Sequence, residues 1–174
     1  MLEMQKAAFI DYEIWILSFG GGFQRANLYA LDADEREKTK FRAAIREKVK
    51  EIVADKYHKS TVSSSEHIEV LLEIKLWIDS HFSSILRNGE IKIGVVQKLV
   101  NLYLKYQWCM GLIDRPPLCP FDRIVIGKLR LKNPPNWTEI DDINTYKNLV
   151  EKAAEVAKPM SIAEWELDVF SRRS

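Results

Sequence analysis

A chain of 174 residues with 26 Lys and Arg against 25 Asp and Glu is nearly neutral and falls within the span of one domain, read here as residues 1–174. Its 47% hydrophobic and 29% charged fractions exclude wholesale disorder, and apolar runs such as Ile14 to Leu17 are far shorter than the roughly 20 residues that cross a bilayer. The opening Met1-Leu2-Glu3-Met4-Gln5-Lys6 lacks a basic region followed by an apolar stretch, so a cytoplasmic protein is expected.

Cys109 and Cys119 are read as free thiols in that compartment. With His58, His67 and His81 they make no zinc pattern, so no metal and no cofactor is expected. The three histidines are assigned to surface or capping positions.

Phe9 to Phe19 satisfies two periods at once. Ala7, Ile10, Ile14 and Leu17 recur at helical spacing, whereas Tyr12 to Phe19 is aromatic and β-branched. A helix is favoured, with a short N-terminal β-hairpin as the alternative. Gly20-Gly21-Gly22 is expected to end either one as a hinge or tight connection. No Gly-Lys-Ser/Thr follows the triplet, which excludes a phosphate loop.

Asp34 to Tyr57 reads as a long helix with an acidic start, Asp32, Asp34, Glu35 and Glu37, and a core stripe of Phe41, Ala44, Ile45, Val49, Ile52 and Val53. From Glu35 to Lys59 nine Lys or Arg stand against five Asp or Glu, either a solvated face or a ridge for nucleic acid. Ser63-Ser64-Ser65-Glu66 fits a capping box, starting a helix near Ser64 that is expected to close at Asn88-Gly89. Its apolar face includes Ile68, Leu71, Leu72, Leu76, Ile78 and Phe82, with Trp77 in the core. Glu66, Glu69, Glu73 and Asp79 look outward, towards the basic helix.

Gly94 to Trp108 predicts a central helix, with Leu99, Leu102, Tyr103 and Tyr106 at helical spacing and Gly111 as the stop. Gln97, Lys98, Asn101 and Lys105 fall along one side, a pattern open to three readings: a buried hydrogen-bonding network, solvent exposure or a ligand site. Three prolines within Pro116 to Pro120 then enforce an extended crossing. Phe121 to Leu131 resumes helical periodicity, and Arg115 to Lys132 holds five basic residues against one acidic. An acidic residue after proline, Asp122, suits a helix start.

Gly94 and Lys98 opening a helix, followed by Pro120-Phe121-Asp122 and an apolar, basic helix, resemble the core of the helix-hairpin-helix DNA glycosylases over residues 94–128. The resemblance implies action on a flipped-out base, with Asp122 as the catalytic aspartate and Lys98 as the nucleophile of bifunctional members. The family's Leu-Pro-Gly-x-Gly hairpin is absent, since Ile91-Lys92-Ile93-Gly94 stands in its place.

After Pro134-Pro135, a helix is predicted from Asp141 to Ala157, capped by Thr138 or Asp141 and ended by Pro159. Ser161-Ile162-Ala163-Glu164 is a second capping box, starting a terminal helix. Asn136 to Phe170 carries eight acidic residues against three basic, opposite in sign to the segments before it.

The sum is an all-α fold, a compact bundle of about six helices. A small non-catalytic binding protein leads, for nucleic acid if the basic helix near Arg42 and the basic stretch near Arg123 share one face, and Lys98, Asn101, Lys105, Arg115 and Arg123 are the candidate ligand-binding residues. Tyr103, Tyr106 and Trp108 are candidate stacking platforms. The alternatives are a protein-interaction adaptor anchored on Trp137 or Trp165, and a glycosylase-like enzyme using Lys98 and Asp122.

Overall fold

Leu2–Phe23 forms one helix, α1, in a computed structural model that describes residues 1–58 and 60–170. The three glycines expected to end it lie inside it, and two of them, Gly21 and Gly22, serve packing. A Cβ at Gly22 would stand 3.1 Å from Leu99 Cβ, and one at Gly21 would stand 2.6 Å from Leu102 Cδ2. Their missing side chains let α1 lie close against the helix Ile93–Cys109. That burial outweighs the roughly 1 kcal/mol per glycine lost in helix propensity.

Helix α2, Glu35–Ile52, starts at a capping box formed by Asp34 and Glu37 and continues as a π-helical turn, Val53–Tyr57. Phe41, Ile45, Val49 and Ile52 are buried along it at spacings of four and three, the stripe the sequence predicts. Lys59, the last member of the basic run, lies outside the described residues.

Ser63 and Glu66 cap α3, Ser64–Phe82, as expected, but the helix ends before Asn88-Gly89. Two 3₁₀ turns, Ser83–Ile85 and Arg87–Gly89, fill the interval, and Asn88 (φ 59°) and Gly89 (φ 77°) close the second in the left-handed region. Leu76, placed on the core face by its spacing, is 66% exposed.

The centre of the molecule is α4, Ile93–Cys109, of whose 17 residues twelve are buried. Helices α1, α3 and α6 (Ile143–Ala157) and the 3₁₀ turn Trp137–Glu139 all pack on it. The predicted helix over Phe121 to Leu131 shortens to α5, Arg123–Lys128, because Asp122 caps its start and Arg130 turns to φ 53°. Asp142, rather than Thr138 or Asp141, caps α6 by accepting from Thr145 N at 2.8 Å. Asp141 is held instead by Lys92 at 3.1 Å, and Thr138 is buried in the 3₁₀ turn. The Ser161 and Glu164 capping box opens α7, Ile162–Val169.

Seven α-helices and no strand occur among the described residues, so the fold is all-α and the N-terminal hairpin alternative gives way to α1. No described helix is long and apolar enough to cross a membrane. Both thiols are free, Cys109 exposed and Cys119 buried.

Candidate functional site

The polar residues of α4 are mostly inside the protein. His67, assigned to the surface or a cap by its sequence context, is fully buried and links α3 to Asn101 of α4. Desolvation lowers its pKa from 6.5 to about 4, against the opposing hydrogen bond to Asn101, so the ring is neutral at pH 7. A neutral ring has one N–H. With Nε2–H donating to Asn101 Oδ1 at 2.7 Å, Nδ1 accepts from the Tyr57 hydroxyl.

Asn101 Nδ2 then donates to Gln97 Oε1 at 3.3 Å and to the Tyr146 hydroxyl at 3.4 Å. Gln97 Nε2 donates to the carbonyls of Gly94 and Phe121, while its Oε1 accepts from Phe121 N. Gln97 therefore splints the extended segment before α5 onto α4. Asn101 belongs to this network and is 1% exposed, so it faces no ligand.

Lys105 and Arg115, also nominated from sequence, both tether α7. Lys105 Nζ lies 2.8 Å from Glu166 Oε2 and 4.1 Å from the Phe170 ring centre, and Arg115 Nη1 lies 3.0 Å from Glu164. Part of the basic run of α2 and the π-helical turn is compensated too, although Arg36, Lys40 and Arg42 form no ion pair among the described residues. Lys50 pairs with Asp11 at 2.8 Å, and Lys48 and Lys56 flank Glu73 at 3.6 and 3.8 Å.

The proposed stacking platforms and anchors are also occupied. Tyr103 is 3% exposed and stacks on Trp15 with ring centres 4.3 Å apart, Tyr106 and Trp108 pack partly buried on the core, and Trp137 and Trp165 are buried. Their apolar bodies gain more from α4 and its neighbours than from water.

Lys98 and Arg123 behave differently. Lys98 reaches out of α4 to Asp122 Oδ2 at 2.8 Å, while Asp122 Oδ1 accepts from Ile124 N and Val125 N at 2.9 and 3.0 Å. Desolvation raises the Asp122 pKa, but the charge and hydrogen bond of Lys98 and the two backbone N–H groups outweigh it, and the carboxyl is held below its usual range. Beside this pair is a cavity of about 250 Å³ lined by Gly20, Gly21, Gln24, Arg25, Lys98, Asp122, Arg123, Ile124 and Trp137.

A second cavity of about 550 Å³, lined by Ile126, Gly127 and Pro134 to Thr138, shares Arg25, Arg123 and Trp137 with the first. The two adjoin as one cleft between the end of α1, the start of α5 and the Trp137 turn. Arg25 and Arg123 are exposed and have no carboxylate partner among the described residues. Three cations thus face a cleft with one carboxylate, which is already paired.

Arg25 carried no signal in the sequence. It follows a glycine run and lies 98 positions before Arg123. Only the packing of α1 along α4 brings the two arginines to one cleft. Among the described residues no group of His, Cys, Asp and Glu is placed to hold a metal ion.

Comparison with protein-family models, curated proteins and solved structures finds no match. The fold and the cleft define the class: an all-α bundle with a cationic cleft beside its central helix.

Proposed function

We propose that this chain is a non-catalytic binding protein whose cleft takes a phosphate-bearing strand, single-stranded nucleic acid. The observation that carries the reading is the pair of exposed, uncompensated arginines, Arg25 and Arg123, on the wall common to both cavities. Guanidinium groups without a carboxylate partner are free to hold phosphate oxygens in bidentate fashion. The larger cavity, about 550 Å³, suits a nucleotide unit and not the width of a duplex.

Fluorescence anisotropy with labelled single- and double-stranded DNA and RNA, over a salt series, tests this. Saturable binding that prefers single strands and weakens steeply with salt is expected. No binding to any of the four at low salt sinks the reading.

A glycosylase-like reaction is the second reading, favoured by the approach of Lys98 to Asp122 within the cleft. Lys98 Nζ is held 2.8 Å from Asp122 Oδ2, and attack on a sugar carbon would first require that ion pair to break. Asp122, favoured as an anion, is a weak acceptor for the proton that must leave. Borohydride trapping on duplexes with damaged bases separates the readings: a covalent adduct lost in Lys98→Ala would establish the enzyme, and its absence leaves the binding protein.

A further inference from the structure

Helix α1 has two apolar faces, and only one is used. Asp11, Trp15, Ser18 and Gly22 turn towards α2 and α4, where Asp11 meets Lys50 and Tyr103, and Gly22 meets Leu99. On the opposite face lie Leu2, Gln5, Phe9, Tyr12 and Ile16, with alternating spacings of three and four. That is the a/d seam of a coiled coil, and it repeats over two heptads.

Leu2 and Phe9 are 62% exposed, Tyr12 57% and Ile16 50%, and Ile10 and Leu17 beside them are also exposed. The four apolar seam residues are thus each at least half exposed, while Ile10 and Leu17 lie outside the seam at b positions. A contiguous row of exposed apolar side chains at this spacing is the seam geometry that a partner helix covers.

The charges on the rim select the occupant. Lys6 and Glu13 each follow a d position and share one edge of the seam, the e edge. In an antiparallel pair of identical helices that edge meets itself, so Lys6 of one copy faces Glu13 of the other, twice by symmetry. A parallel pair sets the same edge against the side carrying Ala8 and Trp15, where no charge answers. Lys6 meanwhile holds Glu3 at 2.8 Å, an exposed pair that is cheap to exchange.

We propose that α1 pairs antiparallel with α1 of a second copy of this chain through the Leu2, Phe9, Tyr12 and Ile16 seam. The resulting dimer leaves the cleft at the other end of α1 open in each copy.

Sedimentation velocity from micromolar to near-millimolar concentration tests this, with the expected species at twice the 20.2 kDa chain mass. Phe9→Glu and Ile16→Glu, both at exposed positions, are expected to be monomeric throughout with unchanged far-ultraviolet circular dichroism. Lys6→Glu is expected to weaken the dimer about tenfold, and Lys6→Glu with Glu13→Lys to restore it. A wild-type chain that stays monomeric overturns the proposal, as does a dimer that survives both seam variants. A dimer indifferent to Lys6→Glu overturns the antiparallel arrangement. A monomer that floats with phosphatidylserine vesicles assigns the face to lipid and overturns it equally.

Discussion

His67 Nε2 lies 2.7 Å from Asn101 Oδ1, with both side chains buried, and this bond joins α3 to the central helix. Its acceptor is fixed by the rest of the network, since Asn101 Nδ2 is already directed at Gln97 and Tyr146. Protonating the ring would put a second N–H at Nδ1, where the hydrogen-bond partner is the Tyr57 hydroxyl.

Stability is therefore expected to fall on acidification. The folded pKa of about 4 lies below the unfolded value near 6.5, so the unfolded chain binds the proton first. The His67 contribution is fully present above pH 6.5 and is lost as pH falls towards 4, up to about 3 kcal/mol in total. Urea denaturation between pH 7 and 5, above the range of ordinary carboxylates, is the measurement. His67→Gln should flatten the dependence, and an unchanged slope in that variant would contradict the assignment.

A Cβ at position 94 would stand 1.8 Å from the Trp137 carbonyl oxygen, a backbone atom that cannot swing aside. Gly94→Ala is expected to cost about 3 kcal/mol, because α4 and the Trp137 turn must separate. Gly20→Ala, with nothing within 4 Å and a helical position, is expected to be neutral or to stabilise by up to about 1 kcal/mol. Thermal denaturation of the two variants side by side checks the contrast.

The Lys105 and Glu166 side chains are 13% and 6% exposed, which makes them the most enclosed ion pair at the α4 and α7 contact. Glu166→Ala leaves a cation with no compensating charge and is expected to cost about 3 kcal/mol. Lys105→Met combined with Glu166→Leu should recover most of that loss, because an apolar pair needs no desolvation of charge. A double variant as unstable as the single one would mean that packing of α7, and not charge, sets the cost.

For the cleft, Arg25→Ala and Arg123→Ala are each expected to weaken single-strand binding about tenfold. Each should also lower the slope of log affinity against log salt by about 0.7. Neither arginine has a carboxylate partner among the described residues, so the melting temperature is expected to stay at the wild-type value. Arg115→Ala, at a residue committed to Glu164, is the control and should leave binding unchanged.

The sequence by itself determined the helices and most of their ends. Apolar spacing marks the buried stripe of α2, and the two Ser-x-x-Glu boxes start α3 and α7 where they were expected, because periodicity and capping act within a few residues. Tertiary structure decided what the polar residues of α4 do. Gln97, Lys98, Asn101 and Lys105 share one side of a helix, yet three different neighbours claim them: the segment before α5, His67 of α3, and α7. Their partners lie 24 to 61 positions away, beyond the reach of any local pattern. The same holds for Gly21 and Gly22 of α1, whose propensity points to a break until the close approach of Leu102 and Leu99 outweighs it. It holds also for Arg25, which becomes part of a cleft only because α1 runs along α4 to the start of α5.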